Sequence, residues 1–274
     1  MINNLIGLIP ARYNSIRIKN KNFREFCGLP LLLHTVLHSA QANIFGKVII
    51  STDNPSLIKE RLNSIKHAMG INCKIHDRRD EFSHNRSTDC EWIYDALCAT
   101  GIDSYDHFMI LRPTNPFRTF GTITRSWDVY KKVNEESDEQ VSLKSVSVAK
   151  NRYEKMWTYL NNTHMRPLHF TYHNSGKPGW ELPHTLLPTT YAQNGCIDIC
   201  PVSIIKNKPN TYIGQKIIPF FTTPLESLDL NEPLDWEIAE LLYAKICRQK
   251  NSYSTVIAEN TFFHVQEINK ILKN

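Results

Sequence analysis

The sequence predicts an α/β fold built on a mainly parallel sheet. Two observations carry that expectation. Short apolar, β-branched runs alternate with stretches of helical period over residues 1–150. The links between the runs are long enough for helical crossovers, which parallel neighbours require.

The first run is Asn4 to Ile9, ended by Pro10, and a polar, basic stretch follows from Ala11 to Asn22. LLLHTVLHSAQA, from Leu31, has apolar positions 32, 33, 36, 37 and 40, the spacing of one helix face. KVIIS (47–51) is a β-branched strand closed by the turn signal Thr-Asp-Asn-Pro. Leu57 to Ala68 is again helical, INCKI (71–75) is a third strand, and Cys90, Ile93, Tyr94, Leu97 and Cys98 share a helix face. HFMIL (107–111) is the fourth strand and VSLKSVSV (141–148) the fifth, with Ile123, Trp127, Tyr130 and Val133 marking a helix between them.

Beyond residue 150 the periodicity fades. Residues 151–195 are rich in Pro, His, Asn, Tyr and Trp. CIDIC (196–200) and KIIPFF (216–221) are expected to form a smaller antiparallel element or a dimer surface. Pro233 and Asp235 suit the first turn of a helix carrying Leu234, Ile238, Leu241, Leu242 and Ile246. Residues 249–254 read as a linker to a last helix-like stretch, Phe262 to Leu272.

Composition narrows the function classes. A chain of 274 residues, 41% hydrophobic and 22% charged, is long and apolar enough to bury a core without disulfides. The net charge of +5 favours acidic ligands mildly, and no Lys/Arg run resembles a nucleic-acid tail. No apolar stretch approaches 18 residues, so no membrane span is expected. The opening MINNLIGLIPAR lacks the basic and long apolar segments of a signal peptide. Seven cysteines without a C-x-x-C read as reduced core thiols of a cytoplasmic protein.

Parallel α/β sheets bind ligands beyond the carboxyl ends of their strands, so the segments after strands one, three and four are the places to search. The first holds IPARYNSIRIKNKN (9–22), with Arg12, Arg17, Lys19 and Lys21 among Asn14, Ser15, Asn20 and Asn22. It is neither a G-x-G-x-x-G nor a P-loop, both of which rely on backbone N–H groups. Four cations match the charge of a nucleoside triphosphate, with Arg able to grip phosphate oxygens in pairs. A solvated basic loop is the alternative. Cys196 and Cys200 read as core thiols, and no histidine pair has zinc-ligand spacing.

The loop IPAR-x-N-S-x-R-I-x-x-KN resembles the opening signature of the cytidylyltransferases that make CMP-sialic acid and related CMP-ulosonates. Further blocks resemble that family in order: STDN (51–54), DRRDEFSHNRSTD (77–89), LRPTNPFRT (111–119), LPTTYAQNGCIDI (187–199) and SLDLNEPLDWEIAE (227–240). The resemblance implies a Rossmann-like three-layer nucleotidyltransferase fold over residues 1–248. A small dimerisation element would lie within about 160–220, and 249–274 would be a C-terminal extension. It implies a CTP- and Mg²⁺-dependent enzyme, cytoplasmic and homodimeric, that joins CTP to a 2-keto sugar acid with release of pyrophosphate. The cytidylyltransferase for 3-deoxy-manno-octulosonate and a catalytically degenerate nucleotide-binding homologue are the alternatives.

Residue roles follow from the same likeness. Arg12 and Lys21 match the triphosphate-binding pair and Asn22 the adjacent nucleotide contact, with Ser15 in the same loop. Arg78 matches the arginine facing cytosine, where a guanidinium can donate to O2 and N3 and so reject uracil. Ser87 and Thr88 fall in a small-hydroxyl cluster that contacts phosphate, caps the next helix, or does both. Arg112 either pairs the substrate carboxylate or is structural. Asn194 and Gly195 match an N-G pair facing the sugar, with an N-G hairpin turn as the alternative. Lys155 matches a lysine that follows strand five. Asp198 stands where sialic-acid enzymes carry an aromatic, and His184 where they carry an arginine, which implies a different ulosonic acid. Asp229 matches the metal-ligating aspartate, and Asn231 takes the place of a second one. Asp235 reads as a first-turn acid of the following helix.

Overall fold

A computed structural model of the chain describes residues 4–69, 72–161, 163–173, 176–208 and 210–248. The C-terminal extension expected at 249–274 lies outside the described residues. The first strand, β1 (Leu5–Pro10), is buried on both faces. Its continuous apolar run is what a central parallel strand requires. A hairpin of β2 (Glu25–Phe26) and β3 (Leu29–Pro30) follows, turned by Cys27 at φ 50° and Gly28 at φ 95°. Two successive left-handed residues match the right-handed twist of paired strands.

Helix α1 (Leu31–Ala42) then leads to β4 (Lys47–Thr52), α2 (Pro55–Met69) and β5 (Cys73–Asp77). Helix α3 (Asp89–Thr100), β6 (His107–Ile110), α4 (Phe120–Glu135) and β7 (Val141–Val148) complete the regular half. Next come β8 (Trp157–Asn161), β9 (His164–Pro167), β10 (Tyr191–Pro201), α5 (Val202–Asn207), β11 (Lys216–Phe221) and α6 (Pro233–Arg248). Among these described helices none is long and apolar enough to cross a membrane.

Seven strands form one sheet in the order β11-β7-β10-β6-β1-β4-β5. All its pairings are parallel except those of β10, which runs antiparallel between β6 and β7. The chain builds outward from β1 through β4 to β5, then returns to place β6 on the other side of β1. That reversal opens a crevice above the carboxyl ends of β1 and β6.

Helices cover both faces, as the three-layer expectation requires. Alternate strand residues divide between two cores: Leu5 and Ile9 pack with α1, α2 and α4, whereas Ile6 and Leu8 pack with α3 and α5. A third cluster seats α6 on the β2–β3 hairpin, with Trp236 packed edge-on to Phe26 at 5.6 Å between ring centres. Residues 196–200 and 216–221 depart from the expected separate antiparallel element. They are strands of the main sheet, because the alternating side chains of β10 find apolar layers on both faces. The small antiparallel pair of this later region is instead β8 and β9.

Candidate functional site: a polar cleft at the ends of the parallel strands

A cleft of about 620 Å³ opens at the crevice. The turn after β1 supplies Arg12, Ser15, Arg17, Lys21 and Asn22, and the end of β5 supplies Arg78. Ser87, Asp89 and Trp92 enter from the start of α3, Arg112 from the end of β6, and Asp229 with Asn231 from the segment before α6. Four predicted sequence blocks, 9–22, 77–89, 111–119 and 227–240, far apart in the chain, thus converge on one cavity.

The basic loop is fixed by its own backbone. Asn20 adopts φ 53°, a left-handed conformation that Asn tolerates, and its carbonyl accepts from Phe23 and Arg24 N–H, both at 2.8 Å. The carbonyls of Arg24 and Asn22 accept from Leu31 and Leu32 N–H at 3.0 and 2.9 Å, which ties the loop to the otherwise unpaired first turn of α1. Asn22, nearly buried, donates to the Arg12 carbonyl at 2.9 Å. Arg12 reaches the His84 carbonyl at 3.0 Å, and Lys21 Nζ donates to the Leu230 carbonyl at 2.6 Å. Burial lowers the Lys21 pKa and Asp229 opposes that, with Arg17 and Arg12 lowering it further. This crowding of cations is the field an anionic ligand relieves.

Arg78 is 5% exposed. Its Nε donates to Ser51 Oγ and one terminal nitrogen to the Ser51 carbonyl, both at 3.0 Å, while the Trp92 ring lies 4.9 Å beneath the guanidinium carbon. Burial pulls its pKa down to about 10, so it remains a cation at neutral pH.

Asp229 and Asn231 point the same way, with buried Leu230 facing opposite, as the two-residue period of an extended segment requires. Asn231 Nδ2 donates to Asp229 Oδ2 at 2.6 Å, and Asn231 Oδ1 accepts from Arg17 at 3.0 Å. The other carboxylate oxygen of Asp229 is buried with no hydrogen-bond partner. An orphaned anionic oxygen beside a triphosphate-sized cavity fits a hard divalent cation such as Mg²⁺, which takes one or two carboxylates plus phosphate oxygens. The Asn231 oxygen, which Arg17 already uses through one lone pair, keeps a second for such a cation. Among the described residues no group of three His, Cys, Asp or Glu could hold a metal by itself. Asp235 accepts from the N–H groups of Asn231 and Glu232 at 2.9 and 2.7 Å, the expected first-turn role.

Ser87 lines the cleft, whereas Thr88 is the N-cap of α3, with its N–H donating to Glu91 at 2.6 Å. Arg112 is held by Asp198 at 2.9 Å and Asp89 at 2.7 Å. Burial works against its charge, and these two carboxylates more than offset that, so its pKa is raised. Asp198 is 3% exposed and also faces Lys144 at 3.4 Å. Asn194 and Gly195 form no hairpin turn. They lie at an irregularity of β10, where Gly195 takes φ 66° and the backbone passes Arg112. Asn194 donates to Thr222 Oγ1 at 2.6 Å, and Lys155 donates to the Trp180 carbonyl at 3.1 Å. Asn194, Gly195, Asp198, Lys155 and Thr88 therefore stand outside the cleft lining.

Sequence reasoning missed Asp89, Trp92, Asn115 and Arg118. Asn115 donates towards the Asn194 and Leu228 carbonyls at 3.3 and 3.4 Å, joining three of the blocks. Arg118 is fully buried and donates to the carbonyls of Arg112 and Cys196 at 2.9 and 2.7 Å and to Thr35 Oγ1 at 2.9 Å. Arg118→Met leaves those acceptors unpaired and should cost about 3 kcal/mol of stability, read by urea denaturation. A loss below about 1 kcal/mol would show that the clamp carries little.

The chain is similar to known proteins in sequence and in fold. The family model described as cytidylyltransferase matches residues 6–155. The N-acylneuraminate cytidylyltransferase of Escherichia coli (strain RS218) is 26% identical over 253 residues, 90% of this chain and 54% of that protein. This chain thus spans about half of that relative's length. The CMP-N,N'-diacetyllegionaminic acid synthase of Legionella pneumophila is 26% identical over 87% of this chain and 95% of its own. A 3-deoxy-manno-octulosonate cytidylyltransferase of Geotalea uraniireducens is 30% identical over only 30% of this chain and 31% of its own. Among solved structures, a CMP:2-keto-3-deoxy-manno-octonic acid synthetase complexed with CTP shares the fold at TM-score 0.59 and 13% identity, over 88% of this chain and 98% of that one.

Proposed function

The chain belongs to the cytidylyltransferase family, and from that premise we propose that it joins CTP to a sialic-acid-like 2-keto sugar acid, giving a CMP-sugar and pyrophosphate. The observation that carries this reading is the single cleft in which Arg12, Lys21, Arg78 and Asp229 meet. Similarity along most of the chain to enzymes named for N-acylneuraminate and diacetyllegionaminic acid supports a nonulosonate over an octulosonate. The retained cations and Asp229 speak against a degenerate homologue.

In this reaction the sugar's anomeric hydroxyl attacks the α-phosphorus of CTP. The new oxygen–phosphorus bond forms in line with the one that breaks, pyrophosphate leaves, and the hydroxyl proton passes to solvent. Such a transfer asks the protein mainly for positioning and charge neutralisation. Arg12 and Lys21 would hold the phosphates, with Ser15, Asn22 and Ser87 shaping the wall around them. Arg78, clamped by Ser51 and Trp92, would read the cytosine edge. Asp229, with Asn231 in support, would hold Mg²⁺, which when bound supplies positive charge at the phosphates.

Arg112, already neutralised by Asp89 and Asp198, would brace the sugar-facing wall with Asn194 and Gly195, and Lys155 would lie further out on that side. Exposed Tyr159, Met165, Leu168, Phe170 and Tyr172 around β8–β9 support a homodimer formed through that element. Seven free thiols support a cytoplasmic setting.

Incubation with CTP, Mg²⁺ and N-acetylneuraminic or diacetyllegionaminic acid should yield CMP-sugar and pyrophosphate in equal amounts, read by anion-exchange chromatography. Pyrophosphate without a sugar conjugate would contradict the reading.

A further inference from the structure

Behind Arg78 runs a line of buried polar groups that the transfer itself leaves unused. Ser51 on β4 and His76 on β5 are partners across parallel strands. Ser51 is fully buried and His76 is 8% exposed. Ser51 Oγ lies 3.1 Å from His76 Nδ1 and takes the Arg78 Nε–H at 3.0 Å. On its far side His76 Nε2 faces Asp95 Oδ2 at 3.3 Å, and Asp95 Oδ1 accepts from Arg79 at 2.9 Å.

Donor and acceptor roles then follow from chemistry. A guanidinium only donates, so Ser51 Oγ accepts from Arg78. With one lone pair so taken, the hydroxyl can donate its own proton to His76 Nδ1 when that nitrogen is the unprotonated one, the tautomer that also turns an N–H to Asp95. We assign the remaining imidazole proton to Nε2, which faces the Asp95 carboxylate at 3.3 Å.

We propose, on the reading of Arg78 as the base-selecting residue, that His76 is a positioning residue for it, acting through the Ser51 hydroxyl. Neutral His76 keeps the guanidinium aimed at the cytosine edge. Protonation would turn Nδ1 into a donor, leave the Ser51 proton without an acceptor, and set a second cation beside Arg78.

The groups facing the imidazole are Asp95 from α3 and, at the end of β5, Asp77, Arg78 and Arg79. Burial lowers the His76 pKa most; Asp95 and Asp77 raise it, while Arg78 and Arg79 lower it. The net shift is downward, so the ring is neutral at neutral pH and charges only as pH falls below the usual histidine range.

Isothermal titration with CTP and with UTP, between about pH 5.5 and 8, reads the effect. The ratio of the two Kd values cancels the titration of the triphosphate, common to both nucleotides. The unaltered protein should prefer CTP, and the preference should decline at the acid end. His76→Leu should cut it about tenfold at neutral pH, and so should Ser51→Ala, which deletes the hydroxyl and little volume. His76→Asn offers an amide oxygen to the Ser51 proton but cannot titrate. It should keep the preference and lose the pH step.

An unchanged preference in His76→Leu or Ser51→Ala, or a pH step that survives in His76→Asn, overturns the relay alone. If the unaltered protein binds UTP as tightly as CTP, the reading of Arg78 falls, and the relay falls with it.

Discussion

Asp229→Asn is expected to lower turnover by about a hundredfold or more, the scale of losing a group that stabilises charge in a transition state. Its free oxygen is buried without a hydrogen-bond partner, an arrangement that costs stability unless a cation or donor arrives. Asp235→Asn is the control. Asp235 sits six residues on and holds two backbone N–H groups at the start of α6. Both bonds go to one carboxylate oxygen, whose place an amide oxygen can take, so that change should cost at most about 1 kcal/mol of stability and little turnover. Asn231→Asp adds a carboxylate and should lower the Mg²⁺ concentration needed for half-maximal rate. A Mg²⁺ titration of the three variants checks these outcomes together. Equal losses for Asp229→Asn and Asp235→Asn, or a rate that survives EDTA, would move the metal elsewhere.

Arg12→Ala and Lys21→Ala should each weaken CTP binding about 10- to 150-fold, corresponding to roughly 1.5–3 kcal/mol for a charge-assisted contact. Both side chains now rest on neutral carbonyls, of His84 and Leu230, which a phosphate oxygen would outcompete. Lys21 adds a further consequence. Its pKa is lowered mainly by burial, and a bound triphosphate should raise it, so CTP binding should take up protons at alkaline pH. Calorimetry in buffers of different ionisation enthalpy reads both quantities. Unchanged affinity for both variants would leave the basic loop as a solvated one.

That the basic loop lies at the cleft was legible because residue type and position after an apolar run are local signals, and the D-x-N pair was singled out by its place in a family-like block. Helices α1, α3 and α4 were legible for the same reason, since one buried face leaves a period in the sequence. What stayed hidden depends on distant partners. Arg112 finds Asp89 and Asp198, 23 and 86 residues away, and no local pattern announces either. Strand β10 alternates as an edge strand would, yet it occupies the middle of the sheet, because pairing with β6 and β7 is decided by chain reversal. Ser51 and His76 meet only because β4 and β5 pair in parallel across a helical crossover. Arg118 closes the block LRPTNPFRT, and nothing in that block told of two backbone carbonyls awaiting it inside.

The most direct test of the proposed transfer is kcat/KM for pyrophosphate release from CTP with Mg²⁺, compared across N-acetylneuraminic acid, diacetyllegionaminic acid and 3-deoxy-manno-octulosonic acid. CTP-dependent release is expected with at least one nonulosonic acid, at a kcat/KM above that for the octulosonic acid. No release with any of the three, or the highest value for the octulosonic acid, would contradict it.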